Sequence, residues 1–245
     1  MNKTTLETFV KKFNLNGNVE SVKWIVDSKE KQLKTSSITD DKNVFVYVEL
    51  KEFTDLSDME IGIYDTAKLK QMLGVLGEQI QITPNVKNDK VTSLNFSDDN
   101  TKVQFVTADL SIIQTIANIK KIPDFNAEIE LTEDFITKFI KAKNALSDVD
   151  TFTLVMNKKN KLEMVMGYTN TNSNKITLNV TSKEGKDTVS KPLSFSAKYL
   201  KEILISNNDC DNAILKASDN GLATITFIKD NFTSTYYLIE IKSVD

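Results

Sequence analysis

The sequence has no histidine and no arginine, so all 31 basic residues are lysine. The first absence removes the commonest general base and the commonest metal ligand. The second removes the planar fork that reads guanine edges through paired hydrogen bonds. Cysteine occurs once, at Cys210, which excludes an intrachain disulfide, a zinc–cysteine cluster and a Cys–His pair and fits a reducing compartment. No run approaches the roughly 20 apolar residues that span a bilayer. The start, MNKTTLETFV, lacks a signal peptide's apolar core, so the expectation is a cytoplasmic protein with no membrane partner. Phosphate-cradling glycine loops are missing too, and GKDT at 185–188 lacks the glycine spacing such a loop needs. Asp40 with Asp41, Asp98 with Asp99, and Asp209 with Asp211 fall in turn-like stretches, where a solvated turn is a plainer reading than a cation site. No catalytic residue, metal or cofactor is assigned, and an enzyme is not expected.

What is present alternates with period two. VESVKWIV, NVFVYVEL, MEIGIY, KVQFVT, TFTLVMN, KLEMVMG, KITLNV, ATITFI and STYYLIEI are short and rich in branched and aromatic residues, and they read as antiparallel strands. SDDN, NKKN, SKEGKD, SDNG and KDN punctuate them as turns. Four segments take helical period instead. Their apolar stripes are Leu6, Phe9, Val10 and Phe13; Leu69, Met72, Leu73 and Leu76; Phe135, Ile136, Phe139 and Ile140; and Leu200, Ile203 and Leu204. Asp65, Thr132 and Ser196 stand where N-caps belong.

The second and fourth helices resemble each other. Aligning YDTAKLKQML with FSAKYLKEIL puts Asp65 on Ser196 and Leu69 on Leu200, about half a chain apart. The order is helix, strands, helix, strands, and then the same again. This predicts an α+β protein of two similar domains, 1–107 and 128–245, each with two helices packed on antiparallel sheets. Residues 108–127, with Pro123 and poor alternation, form the connector, with a helical turn possible in SIIQTIANI. A single large β-sandwich would leave the duplicated helices unexplained.

Charge is distributed unevenly. The chain carries a net −3, yet the four helical windows hold ten lysines against five acids. The lysines are Lys3, Lys11, Lys12, Lys68, Lys70, Lys138, Lys141, Lys143, Lys198 and Lys201. Asp65, Glu133 and Asp134 lie at helix starts, where a carboxylate complements the dipole and says little about the outward face. Lys11 and Lys141 point almost directly away from their stripes, Lys198 and Lys201 flank the outward direction, and Lys143 lies near its helix's apolar side. One such helix is ordinary solvated surface. Four in an acidic chain predict a phosphate-facing surface that binds DNA without sequence preference and with strong salt dependence.

At this point three patches are similar to a known family. MEIGIYDTAKLKQMLGVL resembles the strand running into the second inner helix of tailed-phage sliding clamps. FSAKYLKEIL with the terminal YYLIEI resembles the last part of the proliferating cell nuclear antigen type, and KKIPDFNAEIEL resembles the interdomain loop of that type. The likeness covers nearly the whole chain as architecture, although family inner helices usually mix arginine with lysine and SKEKQLKTSSITDDKN has no clear counterpart.

The resemblance implies a DNA sliding clamp, a ring-shaped processivity factor of viral or phage type. It implies a homotrimer encircling double-stranded DNA, with DNA polymerase and a clamp loader as partners. Lys3, Lys11, Lys12, Lys68, Lys70, Lys138, Lys141, Lys198 and Lys201 would face DNA. Ile122, Pro123, Tyr237 and Leu238, with Ile38 and Val44 nearby, would form the partner-peptide pocket. Lys102, Val103 and Phe105 on one edge strand, and Lys175, Ile176 and Leu178 on another, would join subunits. Edges this apolar invite pairing with another chain. The rival from another class is a non-catalytic β-rich structural or adhesion module whose lysines only keep it soluble.

Overall fold

The structure, a computed structural model, describes residues 1–114, 122–169, 173–210 and 213–242. It divides into two compact units, Met1–Asp40 with Phe45–Ala117 and Ile228–Ser234, and Asp41–Val44 with Asn118–Phe227 and Thr235–Asp245.

The first unit opens with α1 (Lys3–Asn14), followed by β1 (Val22–Asp27), β2 (Gln32–Ile38), β3 (Val44–Lys51) and β4 (Met59–Ile63). After α2 (Thr66–Leu73) come β5 (Gln81–Lys87), β6 (Lys90–Ser97) and β7 (Lys102–Val106). One antiparallel run has the order β4-β1-β2-β3, and a separate sheet has the order β5-β6-β7. The register pairs Trp24 with Thr35 on one side and Ile61 on the other. Alternation works as the sequence requires. Val22, Trp24 and Val26 face inward from β1, and Val44, Val46, Val48 and Leu50 do so from β3. Phe9 packs edge-to-face on Phe13 and Trp24, with centroids 5.3 and 5.8 Å apart. Gly62 lets the segment after β7 close in, since a Cβ there would stand 2.5 Å from the Ala108 carbonyl oxygen.

The second unit repeats the plan. It contains β8 (Ala127–Leu131), α3 (Glu133–Ala145), β9 (Thr151–Met156), β10 (Leu162–Met166), β11 (Ile176–Asn179), β12 (Ser182–Asp187) and β13 (Leu193–Ser196). Then follow α4 (Ala197–Ser206), β14 (Ala213–Ser218), β15 (Leu222–Lys229) and β16 (Phe232–Ile239), of which Ile228–Ser234 belong to the first unit. The strand orders are β12-β8-β14-β15-β16 and β11-β10-β9-β13. Phe152 packs edge-to-face with Phe139 and tilted against Phe195 in its core, with centroids 5.8 and 5.7 Å apart.

Short-range chemistry starts the helices. The Asp65 carboxylate accepts from the Lys68 N–H at 2.7 Å, and the Thr132 and Ser196 hydroxyls accept from Phe135 and Tyr199 at 3.3 Å each. Asn2 caps α1 by accepting from Thr4. One predicted turn is corrected. SKEGKD is not a hairpin tip but the edge strand β12, with its register slipping between Ser182 and Asp187. In the connector, Leu110–Ile112 form a single 3-10 turn, and residues 115–121, which include most of SIIQTIANI, lie outside the described residues. Among the described residues no helix is long and apolar enough to cross a membrane.

Candidate nucleic-acid interface

Within each unit the two helices pack side by side, α1 on α2 and α3 on α4. In the first unit a buried polar contact sets the pair. The Asn14 amide donates to the Thr66 hydroxyl at 2.7 Å, and that hydroxyl donates to the Val19 carbonyl. Apolar stripes bury beneath, and the opposite faces carry the lysines.

Lys68, Lys70, Lys138, Lys141 and Lys198 are exposed, and Lys11 and Lys201 are partly so. Lys138 pairs with Asp134 at 2.6 Å one turn away, an exposed contact of small energetic weight. The Lys198 ammonium lies 5.3 Å from the Tyr199 ring centroid. Lys11 and Lys70 share a recess of about 650 Å³ between α1 and α2, with the acidic Glu7 and the neutral Thr8, Asn14, Asn16 and Gln71 also on its walls. These neutral donors carry no charge pattern, so the sequence offered nothing to single them out.

Two lysines depart from their expected place. Lys12 is 1% exposed, with its ammonium 5.6 Å from the Phe232 ring centroid, so it belongs to the core of the first unit. It sits on the flank of the α1 stripe, where its long apolar stem can be covered. Lys3 turns its ammonium to the far end of α2, donating to the Leu76 carbonyl at 2.8 Å beside Glu78. Lys143 is buried near the apolar side and donates to the carbonyls of Leu146 and Ser147 beyond the end of α3.

The expected pocket residues separate by strand alternation. Val44 and Leu238 are fully buried and belong to the core, whereas Ile38 and Tyr237 are half-exposed. Ile122, 51% exposed, and Pro123 do line a recess of about 510 Å³, but among the described residues its other walls are Asp124, Asn220 and Leu222. The turn between β14 and β15 therefore contributes a wall that the sequence did not point to.

Both strands expected to join subunits stand at sheet edges, β7 in its three-stranded sheet and β11 in its four-stranded one. Val103 and Phe105 nevertheless point into their own unit, Phe105 stacking on Tyr64 at 5.9 Å. What β7 offers outward is Lys102, Gln104 and Val106 with its backbone edge. On the other strand Lys175 is exposed, and Ile176 and Leu178 are half-exposed.

Hydrogen bonds and burial move several side chains away from their ordinary titration ranges. Asp98 is held below the usual carboxylate range by the N–H of Gly77 and then by those of Asn100 and Thr101, which makes it a loop cap. Lys90, 2.6 Å away, does the same to Asp109. Burial first, and then the hydrogen bond to Glu49, push the Tyr47 hydroxyl up to about 12. Among the described residues no three acidic or cysteine side chains gather where they could hold a metal ion. Asp211 of the Asp209 pair lies outside the described residues.

No protein-family profile matches the sequence, and no curated protein matches it. Solved structures do. A crystal structure of proliferating cellular nuclear antigen from Entamoeba histolytica matches with a TM-score of 0.72 at 17% identity, covering 99% of this chain and 97% of that one. Likeness at this identity speaks to architecture, and this chain shares the α+β fold of that structure.

Proposed function

We propose that this chain is the subunit of a DNA sliding clamp, a non-catalytic ring that encircles duplex DNA and tethers a DNA polymerase. The observation that carries the reading is the outward face of the helix pairs. Besides Lys3, seven lysines stand exposed or partly exposed on four helices of a chain whose net charge is −3. Lysine ammoniums attract phosphate without reading bases, so the duplex is held by diffuse charge and remains able to slide. The acidic remainder of the chain disfavours DNA elsewhere on its surface.

A closed ring needs several copies. Two clamp-like units per chain suit three subunits, joined where β7 of one meets β11 of the next. Backbone hydrogen bonds would continue across that contact, with Lys102, Gln104 and Val106 facing one side and Ile176 and Leu178 the other. The recess of Ile122 and Pro123 in the second unit is the proposed seat of a polymerase or clamp-loader peptide. Division into residues 1–107, 108–127 and 128–245 is the corresponding domain plan, and the host cell's cytoplasm the corresponding location.

Sedimentation equilibrium tests the assembly. The expected mass is three times 27.6 kDa, and a strict monomer at every concentration would favour the adhesion-module reading instead.

A further inference from the structure

The irregular edge strand β12 has a consequence for the connector. Between Ser182, opposite Ile129, and Asp187, opposite Ala127, more residues pass on β12 than on its partner β8. Gly185 takes up the excess at φ +72°, in the left-handed region that side chains disfavour. The bulge leaves Lys183 and Glu184 in solvent but half-buries Lys186, whose ammonium donates to the Phe125 carbonyl at 2.5 Å.

The next residue is held from another side. The Asn126 side-chain oxygen accepts from the Asp219 N–H at 3.1 Å, and the Asn126 N–H donates to the Ala217 carbonyl at 2.9 Å. Asp219 is itself fixed, accepting from the Ser190 N–H at 3.0 Å. Two consecutive residues are thus gripped by β12 and by the turn between β14 and β15. Pro123 lies just upstream with φ fixed by its ring, so the wall it forms with Ile122 inherits its position from that grip.

We propose that Lys186 and Asn126 are positioning residues: they clip the end of the connector to the second unit and hold the Ile122–Pro123 wall in place for the apolar side chain of a partner peptide. This rests on the peptide-binding reading above. Neither residue touches the peptide, and the ammonium on a backbone carbonyl is the stronger of the two holds, because one partner is charged.

The test uses the full-length protein and its Lys186→Met, Lys186→Arg and Asn126→Ala variants. Amide exchange over residues 122–130 reports the clip without any ligand. The probe for the pocket is a synthetic peptide of the C-terminal segment of the replicative DNA polymerase from the same genome. Lys186→Met is expected to speed exchange there about tenfold and weaken the peptide about fivefold, with exchange in β9 and β10 unchanged. Lys186→Arg, which keeps the charged donor, restores both, and Asn126→Ala reproduces the loss. Unchanged exchange overturns the clip, and faster exchange with undiminished affinity overturns the positioning role. A peptide that does not bind the unsubstituted protein overturns the pocket reading and with it the positioning role, while the exchange arm still decides the clip.

Discussion

The Asn14 side-chain amide donates to the Thr66 hydroxyl at 2.7 Å inside the first unit, joining the end of α1 to the start of α2. Both residues are buried, and Thr66 passes the hydrogen bond on to the Val19 carbonyl. The setting of two lysine-bearing helices therefore depends on one short polar chain. Thr66→Val keeps the volume but leaves the Asn14 amide and the Val19 carbonyl short of partners, and should cost about 1–3 kcal/mol in urea unfolding. A change within about 0.5 kcal/mol would mean the contact does not set the pair.

Lys12 and its neighbour Lys11 should part company on charge reversal. Lys12→Glu places a carboxylate in the core beside Phe232 and should destabilise the fold by about 3 kcal/mol or more. Reversal of Lys11, Lys141, Lys198 and Lys201 together should leave the melting temperature within a few degrees while shortening retention on DNA and flattening its salt dependence. Thermal unfolding and salt-dependent retention separate the two outcomes.

The same alternation divides Tyr237 from Leu238. Leu238→Ala opens a cavity in the core and should cost about 2–5 kcal/mol, so it tests packing. Tyr237→Ala changes a half-exposed face and should lower affinity for a polymerase peptide with little loss of stability. Calorimetric titration of the two variants checks the assignment.

At the strand edge, Val106→Asp puts a charge on an exposed apolar position of β7. It should shift the assembly toward monomer in sedimentation experiments at unchanged thermal stability of the subunit. A trimer of undiminished strength would move the subunit contact away from β7.

Tyr47 fixes a direction for alkaline pH. Its folded pKa is raised from 10.0 to about 12, so the folded state holds the proton more tightly than the unfolded one. The stability it contributes is complete below pH 10 and is lost as pH rises through about 12. Urea unfolding across that window should fall more steeply for the unsubstituted protein than for Tyr47→Phe, and parallel curves would contradict the assignment.

Helix starts were legible because their chemistry is local. Asp65, Thr132 and Ser196 each accept from an N–H three residues on, and no distant partner is needed. Strands buried on one face, such as β1 and β3, announced themselves by alternation. SKEGKD did not, because an edge strand with most of its side chains in solvent has no apolar phase, and its glycine and charges imitate a turn. Lys12 was misread because Phe232 arrives from the other end of the chain. Asn220 and Leu222 escaped notice as walls of the Ile122 recess because they neighbour it only after the sheet has formed.

Encirclement of DNA is the central claim, and topology tests it directly. The protein is loaded onto closed circular plasmid, separated from free protein at moderate salt, and the plasmid is then cut once. A sliding ring stays on the circle and leaves through the new ends, so protein should co-elute with the circle and be lost on linearisation. Equal retention on circular and linear DNA, or none on either, would contradict the account.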